Sequence, residues 1–133
     1  MPGTGFDLPA LNGFRVLVVD DVADQADSTA TLLMLNGFDA RTAGTIAEAK
    51  AAADFAPHVV VVDLGLPDGD GADLVGWATT LPRPAGVIVV TGHTVPAKLM
   101  AATAAGAAVV LVKPVEPPTL FDHIRRLCRR DDE

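Results

Sequence analysis

The chain has 133 residues, of which 50% are hydrophobic, and its 10 Lys and Arg against 17 Asp and Glu leave a formal charge of −7. That length suits one domain of the usual ~100–200 residues, the apolar content excludes a disordered chain, and the negative charge excludes electrostatic capture of nucleic acid or of an anionic membrane as a primary role. A single cysteine, Cys128, excludes an internal disulfide framework and a multi-cysteine zinc site, and fits a reducing, cytoplasmic setting.

Residues 1–13 are rich in glycine and proline, have neither a basic start nor an apolar run, and read as an N-terminal arm or linker rather than a signal peptide. A continuous β-branched run at 16–19 follows, the composition of a strand buried on both faces in a parallel sheet. Residues 23–35 carry apolar positions at helical spacing and stop at Asn36-Gly37. Residues 39–42 form a weaker, more polar strand suited to a sheet edge. Thr45-Ile46-Ala47-Glu48 is a capping-box pattern, in which the Thr hydroxyl accepts the Glu N–H while the Glu reaches back, and it opens a helix to about Phe55. Runs at 59–62, 87–90 and 109–112 repeat the buried-strand pattern, with helices predicted at 71–81 and 95–105. The last helix follows Pro117-Pro118 and aligns Leu120, Ile124 and Leu127. Arg125, Arg126, Arg129 and Arg130 crowd its end, either as a solvated face complementing the helix dipole or as a docking surface for an acidic partner. Lys98 and several Gly and Pro interrupt the most apolar stretch, so no segment reaches the ~18–20 uncharged residues of a membrane span.

Alternation of strand and helix predicts an α/β fold, one doubly wound parallel sheet of five strands with right-handed crossovers. Ligands of such sheets bind outside the carboxyl ends of the strands. The first strand ends in Asp20-Asp21, the third in Asp63, the fourth in Thr91 and the fifth in Lys113-Pro114, so three carboxylates, a hydroxyl and an ammonium converge on one rim. Two carboxylates about 4 Å apart repel by about 4 kcal/mol at an effective dielectric of 20, so three require compensation. Lys113 supplies one positive charge, and an open oxygen-donor site suits Mg²⁺, which keeps part of its water shell and often shares its site with a phosphoryl group. Lys113 and the Thr91 hydroxyl then suit the charge of a transferring phosphoryl group. Asp63 is the candidate nucleophile, because a carboxylate attacks phosphorus without a general base. Ser28, the only serine, falls inside the first predicted helix, and His58, His93 and His123 lack metal-ligand spacing; only His93, two residues past Thr91, lies near the mouth of the site.

With these residues in place, the chain resembles the receiver domain of two-component response regulators. The motifs that carry the resemblance are Arg15-Val16-Leu17-Val18-Val19-Asp20-Asp21, Val62-Asp63-Leu64-Gly65-Leu66-Pro67-Asp68-Gly69-Asp70-Gly71, Val90-Thr91-Gly92 and Val112-Lys113-Pro114. The resemblance implies a flavodoxin-like (βα)5 fold with strand order 2-1-3-4-5, an arm at 1–13, a receiver domain at 14–130 and a tail at 131–133. It implies that Asp63 is the phosphoacceptor, served by the phosphohistidine of a sensor kinase or a histidine phosphotransfer protein. Asp20, Asp21, Asp63 and the Gly65 carbonyl are then the Mg²⁺ ligands, Lys113 the phosphate contact, Thr91 the switch hydroxyl, and the peptide before Pro114 cis. The implied role is regulatory rather than enzymatic, with a downstream protein target, no direct nucleic-acid contact, no membrane insertion, and a homodimer through the fourth helix, fifth strand and fifth helix as one mode of output.

The chain also departs from the family. Val110 stands where the family has a switch aromatic, Val22 follows the acidic pair where a polar side chain is common, and Gly65 and His93 occupy the positions that influence phosphoryl loss. Without a ring at Val110, the expected change on the output surface is smaller or differently routed. The few residues after the last helix leave the output to another polypeptide or to a part of the parent protein outside this sequence. Three other readings compete. A haloacid-dehalogenase-like phosphatase needs a second aspartate two residues after the nucleophile, where this chain has Gly65. An interaction module that no longer takes phosphate is disfavoured because every phosphate-site residue is present. A flavin carrier needs a glycine- and hydroxyl-rich first turn that is absent.

Overall fold

The computed structural model describes residues 13–92 and 95–132. The strands are β1 (Arg15–Val19), β2 (Asp39–Ala43), β3 (Val59–Val62), β4 (Gly86–Thr91) and β5 (Val109–Val112), and the helices are α1 (Ala23–Leu35), α2 (Ile46–Ala51), α3 (Gly71–Thr79), α4 (Pro96–Ala105) and α5 (Pro117–Asp132). The strands form one parallel sheet in the order β2-β1-β3-β4-β5, the predicted doubly wound topology. Among the described residues no helix is long and apolar enough to cross a membrane.

Alternation along each strand sends side chains to opposite faces of the sheet. Leu17, Val19, Val60, Val62, Val87 and Val89 pack on one side with residues of α2, α3 and α4. Val16, Val18, Val59, Val61 and Ile88 pack on the other with α1 and α5, where the predicted stripe of Leu120, Ile124 and Leu127 is buried. Both faces of β1 and β3 are therefore dry, which explains their unbroken apolar runs. The run at 109–112 departs from this expectation. Val109, Val110 and Leu111 are only half-buried and Val112 is 44% exposed, because β5 is the last strand and its helices cover it incompletely.

Helix ends also depart from the predicted bounds. The helix expected to reach Phe55 stops at Ala51, and a single 3-10 turn, Ala53–Phe55, carries Phe55 into the core. Pro57 disfavours helical geometry in the residue before it, and Ala56 turns left-handed at φ 52° to start the approach to β3. The predicted capping box forms through Thr45, whose hydroxyl accepts from the Glu48 N–H, but the Glu48 carboxylate reaches past Thr45 to the Gly44 N–H. Helix α3 ends at Thr79 rather than Leu81, because the hydroxyls of Thr79 and Thr80 donate to the carbonyls of Gly76 and Trp77 and close its last turn. At the other terminus α5 continues to Asp132, through most of the expected tail at 131–133. The expected arm, up to Asn12, lies outside the described residues.

Candidate functional site

The sheet ladder fixes the backbone of each site residue before its side chain is considered. Past the strand ends, Asp20 N–H donates to Ala43 O (3.0 Å), Asp63 N–H to Val19 O (2.9 Å) and Lys113 N–H to Thr91 O (2.8 Å). The register pairs Val19 with Val62, so Asp20 and Asp63, one residue further on, emerge side by side. The site straddles β1 and β3, where the strand order reverses, the crevice at which doubly wound sheets bind ligands.

Local turns then aim the side chains. Asp20 Oδ1 accepts from the Val22 N–H at 2.9 Å, a turn that also begins α1, whose N-cap Val22 provides no side-chain oxygen. Asp63 Oδ1 accepts from the Gly65 N–H at 3.0 Å. Carboxylate oxygens of Asp20, Asp21 and Asp63 lie within 4.8 Å of one another; Asp20 is buried, Asp63 half-buried and Asp21 exposed. From β5, Lys113 reaches across the end of β4 to Asp63 Oδ2 at 2.9 Å and Asp20 Oδ2 at 3.5 Å. Burial penalises the Lys113 ammonium, but the hydrogen bond and charge of Asp63, then those of Asp20, outweigh it and raise its pKa above the ordinary 10.5. The lysine is therefore a fixed cation at neutral pH.

The predicted residues fall into place unequally. Asp20, Asp21, Asp63 and Lys113 are brought together. Thr91, fully buried, ends the strand between Asp63 and Lys113. The Lys113–Pro114 peptide is cis. His93 lies outside the described residues. Val110 pairs with Val89 and packs, partly buried, on the cluster beneath α3 and α4.

Two features escaped the sequence reading. Gln25, in the first turn of α1, accepts a hydrogen bond from Lys113 Nζ at 3.1 Å; its place four residues after Asp21 was the available signal. A cleft of about 730 Å³ also opens beside the acidic centre, floored by Val18, Val61 and Val90 and edged by Gln25, Ser28 and Val115. It gives one side of Asp63 an approach from solvent between α1 and the start of α5.

The parallel order 2-1-3-4-5, with an acidic cluster and one lysine outside its carboxyl ends, defines a flavodoxin-like α/β protein whose charged residues gather at the switch point of the sheet. Comparison with known proteins resolves the class further. The family model for the response regulator receiver domain matches residues 16–125. The transcriptional regulatory protein KdpE of Mycobacterium tuberculosis is 36% identical over 121 residues, covering 87% of this chain and 51% of that protein. PrrA of Mycobacterium bovis is 34% identical over 117 residues, covering 87% of this chain and 50% of PrrA. Among solved structures, a CheY-like receiver domain protein from Methanospirillum hungatei matches with TM-score 0.85 at 29% identity, covering 91% of this chain and 98% of that one. The chemotaxis response regulator CheY4 of Vibrio cholerae matches with TM-score 0.77 at 28% identity, covering 87% and 99%. The chain belongs to the response regulator receiver domain family. It spans about half the length of the curated relatives it matches.

Proposed function

We propose that this chain is the phosphoacceptor of a two-component or phosphorelay pathway, receiving a phosphoryl group on Asp63 from the phosphohistidine of a sensor kinase or a histidine phosphotransfer protein. The observation that carries the reading is the 2.9 Å contact between Lys113 Nζ and Asp63 Oδ2 beside the carboxylates of Asp20 and Asp21. A carboxylate oxygen of Asp63 forms the P–O bond as the donor's P–N bond breaks, and the imidazole nitrogen leaves with that electron pair. The Gly65 N–H holds Oδ1, which limits the rotation of the carboxylate. Lys113 balances charge on the incoming phosphoryl oxygens.

The acidic cluster fits Mg²⁺ by its donors: Asp20, Asp21 and Asp63 offer hard oxygen ligands crowded at a distance where they repel, and the Gly65 carbonyl would complete the protein's share. When bound, the ion neutralises charge between the carboxylates and the phosphoryl group.

Reversal of a two-state equilibrium from 1:99 to 99:1 requires about 5.5 kcal/mol, whereas a hydrogen bond from Thr91 to a charged phosphate contributes roughly 1.5–3 kcal/mol. The phosphoryl group, carrying about −1.5 to −2 in place of the carboxylate's single negative charge, and its pull on Lys113 supply the rest. Readout is through protein contacts on α4, β5 and α5, where Met100 and Val112 are 70% and 44% exposed, by a downstream target or a second copy. With Val110 in place of an aromatic, the change there is small. His93 modulates phosphoryl loss, and the setting is cytoplasmic. The role is regulatory, with phosphorylation and dephosphorylation of Asp63 as the only chemistry.

Incubation with acetyl phosphate and Mg²⁺ tests the reading. One phosphoryl group, stable in acid and labile to base and hydroxylamine, is expected on the parent chain and none on Asp63→Asn. Equal labelling of the two refutes the assignment.

A further inference from the structure

An ammonium group has three N–H donors and no acceptor, and that of Lys113 faces three oxygens: Asp63 Oδ2 at 2.9 Å, Gln25 Oε1 at 3.1 Å and Asp20 Oδ2 at 3.5 Å. Two of these belong to the acidic centre, and their capacity to hold the lysine changes when Asp63 becomes an acyl phosphate. Asp63 is then a mixed anhydride whose carboxyl oxygens no longer carry a full negative charge. Gln25 lies outside that centre and is unchanged by the chemistry. Its helix is anchored, because α1 packs on the sheet through Ala26 and Leu33.

We propose that Gln25 is a positioning residue of the phosphorylation site, holding Lys113 Nζ at the rim while the ammonium transfers its remaining contacts from Asp63 to the phosphoryl oxygens. The neutral amide suits the task. It orients the ammonium without cancelling its charge, whereas a carboxylate at this position would compete with the phosphoryl group for it. Without the amide, Lys113 is drawn wholly onto Asp20 and Asp63 and lies between the attacking oxygen and the donor.

The proposal rests on Asp63 as the acceptor, and the experiment separates the two. The chain has only three lysines, Lys50, Lys98 and Lys113, so its ammonium groups are resolvable by 15N NMR in the metal-free protein. In Gln25→Met, which preserves length and removes the acceptor, proton exchange of the Lys113 ammonium is expected to accelerate about tenfold. Labelling by phosphoramidate with Mg²⁺ is expected to slow about three- to tenfold, at an unchanged urea midpoint. In Gln25→Glu the protected ammonium signal persists while labelling still slows. Parent-like labelling in Gln25→Met, with or without faster exchange, overturns the proposal. So does a defect seen only with a protein phosphodonor, which makes Gln25 a docking contact. A parent chain that phosphoramidate fails to label refutes Asp63 as acceptor, and with it the proposal, whatever the NMR result.

Discussion

Asp68 ties the loop after β3 to the start of α2: its two carboxylate oxygens accept from the backbone N–H groups of Ile46 at 2.8 Å and Ala47 at 3.0 Å. Thr45 serves the next amide, that of Glu48, so the first turn of α2 is satisfied by residues from two parts of the chain. The hydrogen bond from Ile46, then that from Ala47, holds the Asp68 carboxyl below its ordinary pKa of 3.8. A carboxyl with a depressed pKa stabilises the fold above its unfolded value, and the contribution disappears as pH falls through the folded one. Asp68→Ala is therefore expected to lower the urea midpoint at pH 7, and the gap between parent and variant to narrow below pH 3.8. A gap that is constant with pH would show that the clamp does not depend on the carboxylate charge.

Glycines 71 and 76 lie in the same helix and make opposite predictions. A Cβ at Gly71 would stand 2.7 Å from Leu64 Cα and 3.1 Å from Asp63 O, both backbone atoms that cannot yield cheaply. Gly71→Ala is expected to cost about 1–3 kcal/mol by overpacking and to slow phosphoryl acceptance, since the atoms displaced lie directly behind Asp63. A Cβ at Gly76 meets nothing within 4 Å, so Gly76→Ala is expected to stabilise by about 0.4–1 kcal/mol through reduced entropy of the unfolded chain. Urea titration of both variants checks the pair, and equal effects would refute the packing argument.

Lys113 is desolvated, yet Asp63 and Asp20 raise its pKa above 10.5. The sign is that of a stabilising cation: the contribution is complete below pH 10.5 and is lost as pH rises through the raised folded value. In chelator-treated protein, the Lys113 ammonium is expected to titrate above the ordinary lysine value of 10.5. Asp63→Asn removes its closest partner and is expected to lower the midpoint. A Lys113 midpoint below 10.5 would mean that burial dominates and that the ion pair is too weak to fix the cation.

The sheet and the site were readable because their signals are local and repeated. Unbroken apolar runs marked β1 and β3, and Asp20, Asp63 and Lys113 each directly follow a run that the ladder aligns with its neighbour. What escaped depends on contacts distant in sequence. Nothing near Asp68 announces that its partners lie 22 and 21 residues earlier, and Gln25 meets Lys113 across 88 residues. The half-exposure of β5 was hidden for a related reason: its composition matches that of a central strand, and only the sheet order makes it an edge.

Asp21 allows folding and the proposed metal binding to be tested apart. It is exposed, and no hydrogen bond or ion pair to its side chain is seen among the described residues, whereas Asp20 and Asp63 are tied to Lys113 and to backbone amides. Its place in the acidic cluster therefore brings like-charge repulsion without compensation in the metal-free protein. Asp21→Asn is expected to leave the metal-free melting temperature unchanged or slightly higher. Added Mg²⁺ should reverse the order, since a ligand that binds only the folded state stabilises by about 2.7 kcal/mol at 100 times its Kd, and the variant would lose one of the three carboxylates proposed to hold the ion. Thermal melts of both proteins across a Mg²⁺ series, with Ca²⁺ and NaCl at matched ionic strength as controls, distinguish site binding from screening. If the parent gains no more from Mg²⁺ than Asp21→Asn does, Asp21 is an ordinary surface carboxylate and the ion, if held at all, is held without it.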